Sequence, residues 1–217
     1  MQVDTLSYEK LPTRTPFLAV LVMTLLIISL LSGCSSTANI AVEQQFPDVV
    51  AEPRNVSAAI VFDDAFRNYV GAPNKDTSIA LGASQVDLFA KAFNGLFWRT
   101  EVVNALEHAS NEAELIVKPS VVEVQVAAPS DTYLNVFEVW IKYKLDIQTL
   151  DGQVLDSWFM PAYGKTPDSF MLSKSDAIRE ASIIALRDAG AKLILDFYRV
   201  PAVASWLARN EKLVEDR

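Results

Sequence analysis

The sequence predicts an α+β fold: a mostly antiparallel sheet with a central β-hairpin, covered by a helix from the N-terminal half and a long C-terminal helix. Three observations carry this expectation. Two alternating apolar segments flank Asp151-Gly152, a pair that favours hairpin turns. Val86, Phe89, Phe93 and Leu96 recur at helical spacing, and Ile178, Ala181, Ala185, Leu186, Ala189 and Leu193 do so near the end of the 217-residue chain. Helices gathered on one face of an antiparallel sheet form a stable two-layer arrangement.

The first 33 residues read as an export signal. A polar start with Lys10 and Arg14 leads into the apolar run from Pro16 to Leu31, and Ser32-Gly33 follow. The run is shorter than the roughly 20 residues that cross a bilayer comfortably. Leu31-Ser32-Gly33-Cys34 resembles the lipobox of bacterial lipoproteins. That resemblance implies peptidase recognition through Leu31, Ser32 and Gly33, cleavage before Cys34, and lipidation of the Cys34 thiol. Acyl chains such as palmitate each contribute about 0.8 kcal/mol per buried methylene, and several together give a stable anchor. Ser35, rather than aspartate, resembles the outer-membrane-sorted majority, which places the domain on the periplasmic face of that membrane.

Cleavage of 33 of the 217 residues leaves 184, and because Asp4, Glu9, Lys10 and Arg14 cancel, the net charge stays at −8. That balance argues against binding nucleic acid or anionic lipid through bulk charge. Cys34 is the single cysteine, so no intramolecular disulfide forms.

Residues 34–55 read as a lipidated flexible tether, with Pro47, Pro53 and no sustained period. The α+β domain then spans 56–199. Ser57 to Phe62 is a buried strand, followed by a loop broken by Gly71, Pro73 and Asn74. Ser84 with Asp87 forms a capping-box pattern at the start of the first helix. Glu101-Val103 is a short strand. Glu114 to Ala127 alternates in two phases, which predicts a bulge near Pro119-Ser120.

The hairpin strands run from Tyr133 to Leu150 and from Gln153 to about Lys165. A two-residue turn at Asp151-Gly152 sets Leu145 against Trp158, Tyr143 against Met160 and Ile141 against Ala162 on the core face. It sets Lys144 against Phe159, Trp140 against Tyr163 and Glu138 against Lys165 on the other. Ser173 with Asp176 caps a helix to about Tyr198, in which Gly190 allows close packing or marks a break. Residues 200–217 form a short helix and a charged tail.

This element order resembles the small periplasmic domain of curli-secretion lipoproteins, lipoprotein activators of penicillin-binding proteins and auxiliary lipoproteins of transport systems. The resemblance covers about residues 56–199 and rests on element order and the lipobox, without an internal motif.

Catalytic patterns are scarce. His108 is the only histidine and lies in a polar stretch. Asp63 and Asp64 follow the first strand and read as strand-end or loop-capping carboxylates. There is no Gly-x-Ser-x-Gly elbow and no glycine-rich phosphate loop. The expectation is a non-catalytic protein without cofactor or metal, held to the membrane by its lipid and partnered by another envelope protein; self-association stays open. Its candidate partner surface is Trp140, Lys142, Phe159 and Tyr163, provided the segment around Trp206 does not cover it. Two alternatives stand: a carrier of lipid or another apolar ligand, which needs a cavity between helix and sheet, and an enzyme whose groups only the fold brings together.

Overall fold

The computed structural model describes residues 38–50, 52–132, 134–170 and 173–215; Leu31, Ser32, Gly33, Cys34 and Tyr133 lie outside them. The strands are β1 (Ala38–Ala41), β2 (Arg54–Val61), β3 (Val70–Asn74), β4 (Thr77–Ala80), β5 (Phe97–Val103), β6 (Leu115–Ala127), β7 (Val136–Thr149) and β8 (Val154–Pro167). The helices are α1 (Asp64–Arg67), α2 (Gly82–Leu96), α3 (Pro129–Thr132), α4 (Lys174–Asp196) and α5 (Pro201–Glu215). None of the described helices is long and apolar enough to cross a membrane.

The architecture is α+β, but both sheets are mixed, not mostly antiparallel. The larger sheet has the order β5-β2-β6-β7-β8, and the smaller β1-β4-β3. β2 runs parallel to both β5 and β6, whereas β6-β7-β8 is an antiparallel meander. The physical reason lies in β2 itself. Ala58 and Ile60 are buried toward the main core, while Ala59 and Val61 are buried with Ala113 and Ile116 on the other face. A strand covered on both sides needs a continuous apolar run, the habit of parallel strands.

The segment read as a tether is folded from Ala38 onward. β1 pairs in parallel with β4, and Ile40, Val42 and Phe46 are buried. The Ser84-Asp87 pair, expected to cap α2, instead holds this segment. Ser84 donates to the Val42 carbonyl at 2.5 Å and accepts the Gln44 N–H at 3.0 Å, while Asp87 accepts the Phe46 N–H at 3.0 Å. α2 starts two residues before Ser84, at Gly82, without a side-chain cap. Val86 is only half-buried and Leu88 is buried in its place.

The loop after β2 contains α1 and the β3–β4 hairpin, whose turn falls at Asn74 to Asp76. The bulge in β6 lies between Val121 and Glu123, past Pro119. Pro119 itself follows Val117, the last residue paired with β2, so one edge of β6 is open there and accommodates a proline.

The hairpin keeps the expected register, including Leu145 with Trp158, Ile141 with Ala162 and Trp140 with Tyr163. The turn differs. Gly152 donates to the Thr149 carbonyl at 3.0 Å, Thr149 donates to the Gln153 carbonyl at 2.9 Å, and Gly152 has φ +86°. This is a three-residue loop closed by a left-handed glycine. Gln148 pairs with Val154, and an irregularity before Ile147–Asp156 restores the expected register.

α4 begins with the predicted cap, Ser173 accepting the Asp176 N–H at 3.1 Å, and runs unbroken through Gly190, whose open face meets Leu88. It packs along β8 and against α2. Rings fill the layer between sheet and helices. Phe89 lies 5.0 Å from Tyr143 and 6.2 Å from Phe93, and Phe97 lies 5.5 Å from Phe197, centroid to centroid. The buried Tyr143 hydroxyl donates to Gln85 at 3.2 Å, and Gln85 donates to the Phe66 carbonyl at 2.6 Å, so this polar pair is satisfied.

Candidate functional site

Strand alternation sends Val139, Ile141, Tyr143 and Leu145 of β7 into the core and Trp140, Lys142, Lys144 and Asp146 to the opposite face. The helices lie on the core side. Trp206 is buried in that same core, so it does not cover the outer face. Trp140 is 36% exposed and Phe159 51% exposed.

All four predicted surface residues sit together. Trp140 and Tyr163 are direct cross-strand partners with centroids 5.2 Å apart. The Lys142 ammonium stands 5.0 Å from the Phe159 ring centroid. An open depression of about 200 Å³, lined by Glu123, Gln125, Trp140, Lys142 and Pro161, continues the patch toward β6.

Tyr163 is fixed from several sides. Its hydroxyl donates to the Glu138 carboxylate at 2.5 Å, and this bond, with burial and the negative charge added, pushes the phenol up to about 12. Its backbone N–H donates to Asp188 of α4 at 2.9 Å, and Lys192 donates to the Pro161 carbonyl at 2.7 Å. Here α4 occupies the free edge of β8, where unpaired backbone groups would otherwise invite strand addition. Gly164 permits that approach: a Cβ there would lie 2.0 Å from the Ala181 carbonyl oxygen.

A second feature on the same face had no signal in the sequence. A cleft of about 490 Å³ is lined by Val61, Asp63, Asn104, Glu107, Ile116, Lys118, Asp146 and Ser157 among others. Asp63 caps α1 by accepting the Phe66 N–H at 2.9 Å and pairs with Lys118 at 2.9 Å. Burial pushes its carboxyl up, but Lys118 and Phe66 outweigh that and hold it below its ordinary value. Asp146 behaves alike: burial opposes, and the Ser157 hydroxyl at 2.6 Å and Lys144 at 2.9 Å prevail. The cleft residues come from four strands and the segments after β2 and β5, so no local spacing marks them.

Asp64 is exposed in the first turn of α1. His108 is exposed beside the cleft, its Nδ1 2.5 Å from Asn104 Oδ1. Asp63 is thus committed to a cap and an ion pair, and His108 to an amide.

No family model matches the chain, and no curated protein matches it. Among solved structures, a neuraminyllactose-binding hemagglutinin homolog from Helicobacter pylori is similar in fold. It shows a TM-score of 0.53 at 9% identity, over 82% of this chain and 100% of that one. A lipoprotein from Caulobacter crescentus CB15 overlaps less, with TM-score 0.37 and 16% identity over 58% of this chain and 83% of that one. A minor lipoprotein from Acinetobacter baumannii has TM-score 0.39 and 9% identity over 67% of this chain and 92% of that one.

Proposed function

We propose that this chain is a non-catalytic envelope lipoprotein, anchored through Cys34 on the periplasmic face of the outer membrane. It acts as an adaptor or accessory factor in envelope assembly, transport or maintenance. Its docking surface is the outer sheet face formed by Trp140, Lys142, Phe159 and Tyr163. The observation that carries the reading is one preorganised patch in which Trp140, Lys142 and Phe159 are exposed and Tyr163 is half-buried beside Trp140. Aromatic rings are favoured in the centres of protein interfaces, and a charged group such as Lys142 suits the polar rim around them. The partner surface that fits combines apolar groups with acidic ones.

The test is photocrosslinking in intact cells, with photoreactive residues at Trp140, Lys142 and Lys165. One recurrent envelope protein captured at all three supports the adaptor reading. Lipid adducts alone would replace it by the carrier reading. The carrier has less support, because the layer between helices and sheet, where it needs a cavity, is occupied by the rings of Phe89, Phe93, Phe97 and Tyr143.

A further inference from the structure

We infer that the domain is held close against the bilayer, with the β3–β4 turn at Asn74, Lys75 and Asp76 meeting the lipid headgroups. The inference rests on the lipid-anchor reading of Cys34 and adds to it where the domain stands.

Only Ser35, Ser36 and Thr37 separate Cys34 from the first residue of β1. A chain spans at most about 3.6 Å per residue, so Cys34 lies no more than about 14 Å from Ala38. Ala38 is already part of the domain, its N–H donating to the Asp76 carbonyl at 2.8 Å. Its neighbour Asn39 accepts the Ser78 hydroxyl at 2.5 Å. Buried Ile40, Val42 and Phe46, with the bonds from Ser84 and Asp87, keep this segment from peeling away to lengthen the leash.

An acylated cysteine sits at headgroup level while its chains fill the hydrocarbon, and the headgroup region adds only roughly 5–8 Å per leaflet. The turn beside Ala38 is therefore the part of the domain that the headgroups meet, with Lys75 exposed at its tip. Charge does not supply the contact, since a chain of net −8 is on average repelled by anionic lipid. The short leash does, and a longer one would let the domain stand off.

β3 packs against β6, the strand that borders the aromatic patch. Gly71 of β3 lies against Val124 of β6, whose neighbour Gln125 pairs with Trp140. The β7–β8 loop starts after Thr149, eight residues along β7 from Ile141, the partner of Val124. That is about 27 Å at the usual strand rise.

The experiment uses the processed full-length protein in vesicles of phosphatidylethanolamine and phosphatidylglycerol that carry a nitroxide on a fraction of headgroups. Cys34 is the only cysteine, so once it is acylated Lys75→Cys or Gln153→Cys supplies the single free thiol for a fluorophore. Quenching at position 75 is expected to exceed that at 153 at least fivefold. A twelve-residue glycine-serine insertion after Ser36 should reduce the quenching at 75 toward the value at 153. Acylated protein with equal quenching at both positions would overturn the inference alone. An amino-terminal peptide without acyl mass would overturn the anchor reading and this inference together.

Discussion

Lys142 reaches diagonally across the hairpin to Phe159, its ammonium 5.0 Å from the ring centroid, although the register pairs Lys142 with Pro161 and Phe159 with Lys144. Diagonal neighbours on one sheet face are within reach of long side chains, and at an exposed site a cation–π contact contributes about 0.5–1 kcal/mol. With Trp140 against Tyr163, it forms two ordered pairs on one face. A patch ordered before binding loses less side-chain entropy on docking.

The double variant Trp140→Ala, Phe159→Ala should therefore separate binding from folding. Both side chains are at least a third exposed, so thermal stability should fall by only about 1 kcal/mol or less. Capture of the partner in intact cells should drop at least tenfold. A folded variant that captures as well as the wild type would remove this face from the proposed function.

Gly164→Ala should do the reverse and damage the fold from a position that bears no functional group. The added methyl would lie 2.0 Å from the Ala181 carbonyl oxygen and 2.4 Å from the Ala185 nitrogen, both helix backbone that cannot rotate aside. Pushing α4 off β8 should cost about 3 kcal/mol, the upper end for overpacking. It should also loosen Asp188 from the Tyr163 N–H. Urea denaturation measures the cost; a loss below about 1 kcal/mol would mean that helix and strand do not touch as described.

The hairpin shows what local sequence can and cannot dictate. Its strands alternate cleanly and sit against each other as read, because a one-residue slip would turn Tyr143 and Met160 out to solvent. The turn departs from the two-residue expectation all the same: Gly152 closes a three-residue loop, and a later irregularity returns the strands to the expected pairing. Ser173 caps its helix as expected, since cap and helix are neighbours in sequence. Ser84 and Asp87 show the same local pattern but bond to residues about 40 positions away, a preference that tertiary contact overrode. The parallel direction of β2 had one visible trace, an apolar run without alternation from Ala58 to Phe62. The aromatic patch was legible because pairing alone assembles it. The cleft was not, because Asp63, Lys118 and Asp146 meet only through sheet order.

Ser84→Ala should reveal how the N-terminal segment is held. The buried Ser84 hydroxyl serves both the Val42 carbonyl and the Gln44 N–H, and removing such a group costs about 1–3 kcal/mol. The loss should be local: amide exchange at residues 42–46 should rise at least tenfold while the protection of Tyr143 in β7 changes little. Equal acceleration at both sites would show that β1 and the large sheet unfold as one unit.

Acid should weaken the fold through Asp63 and Asp146. Burial raises each carboxyl, yet hydrogen bonds and lysine charge prevail and hold both below the ordinary 3.8. A carboxyl lowered in the folded state contributes stability that is fully present above its unfolded value and is lost as pH falls through its folded one. The loss should therefore begin near pH 4 and continue below it. Lys118 sits in the first pair and acts on the second by charge, so Lys118→Met should flatten this acid limb. The side chains of the Lys118–Asp63 pair are 48% and 33% exposed, which keeps the contribution within the small range of surface ion pairs. Melting temperatures of wild type and variant at pH 6, 5, 4, 3 and 2.5 measure it. The two curves should be furthest apart above pH 5 and converge toward pH 2.5, because protonating the carboxylates removes what the lysine held. Parallel curves over that range would mean that the pair contributes nothing to stability and that other carboxylates set the acid limit.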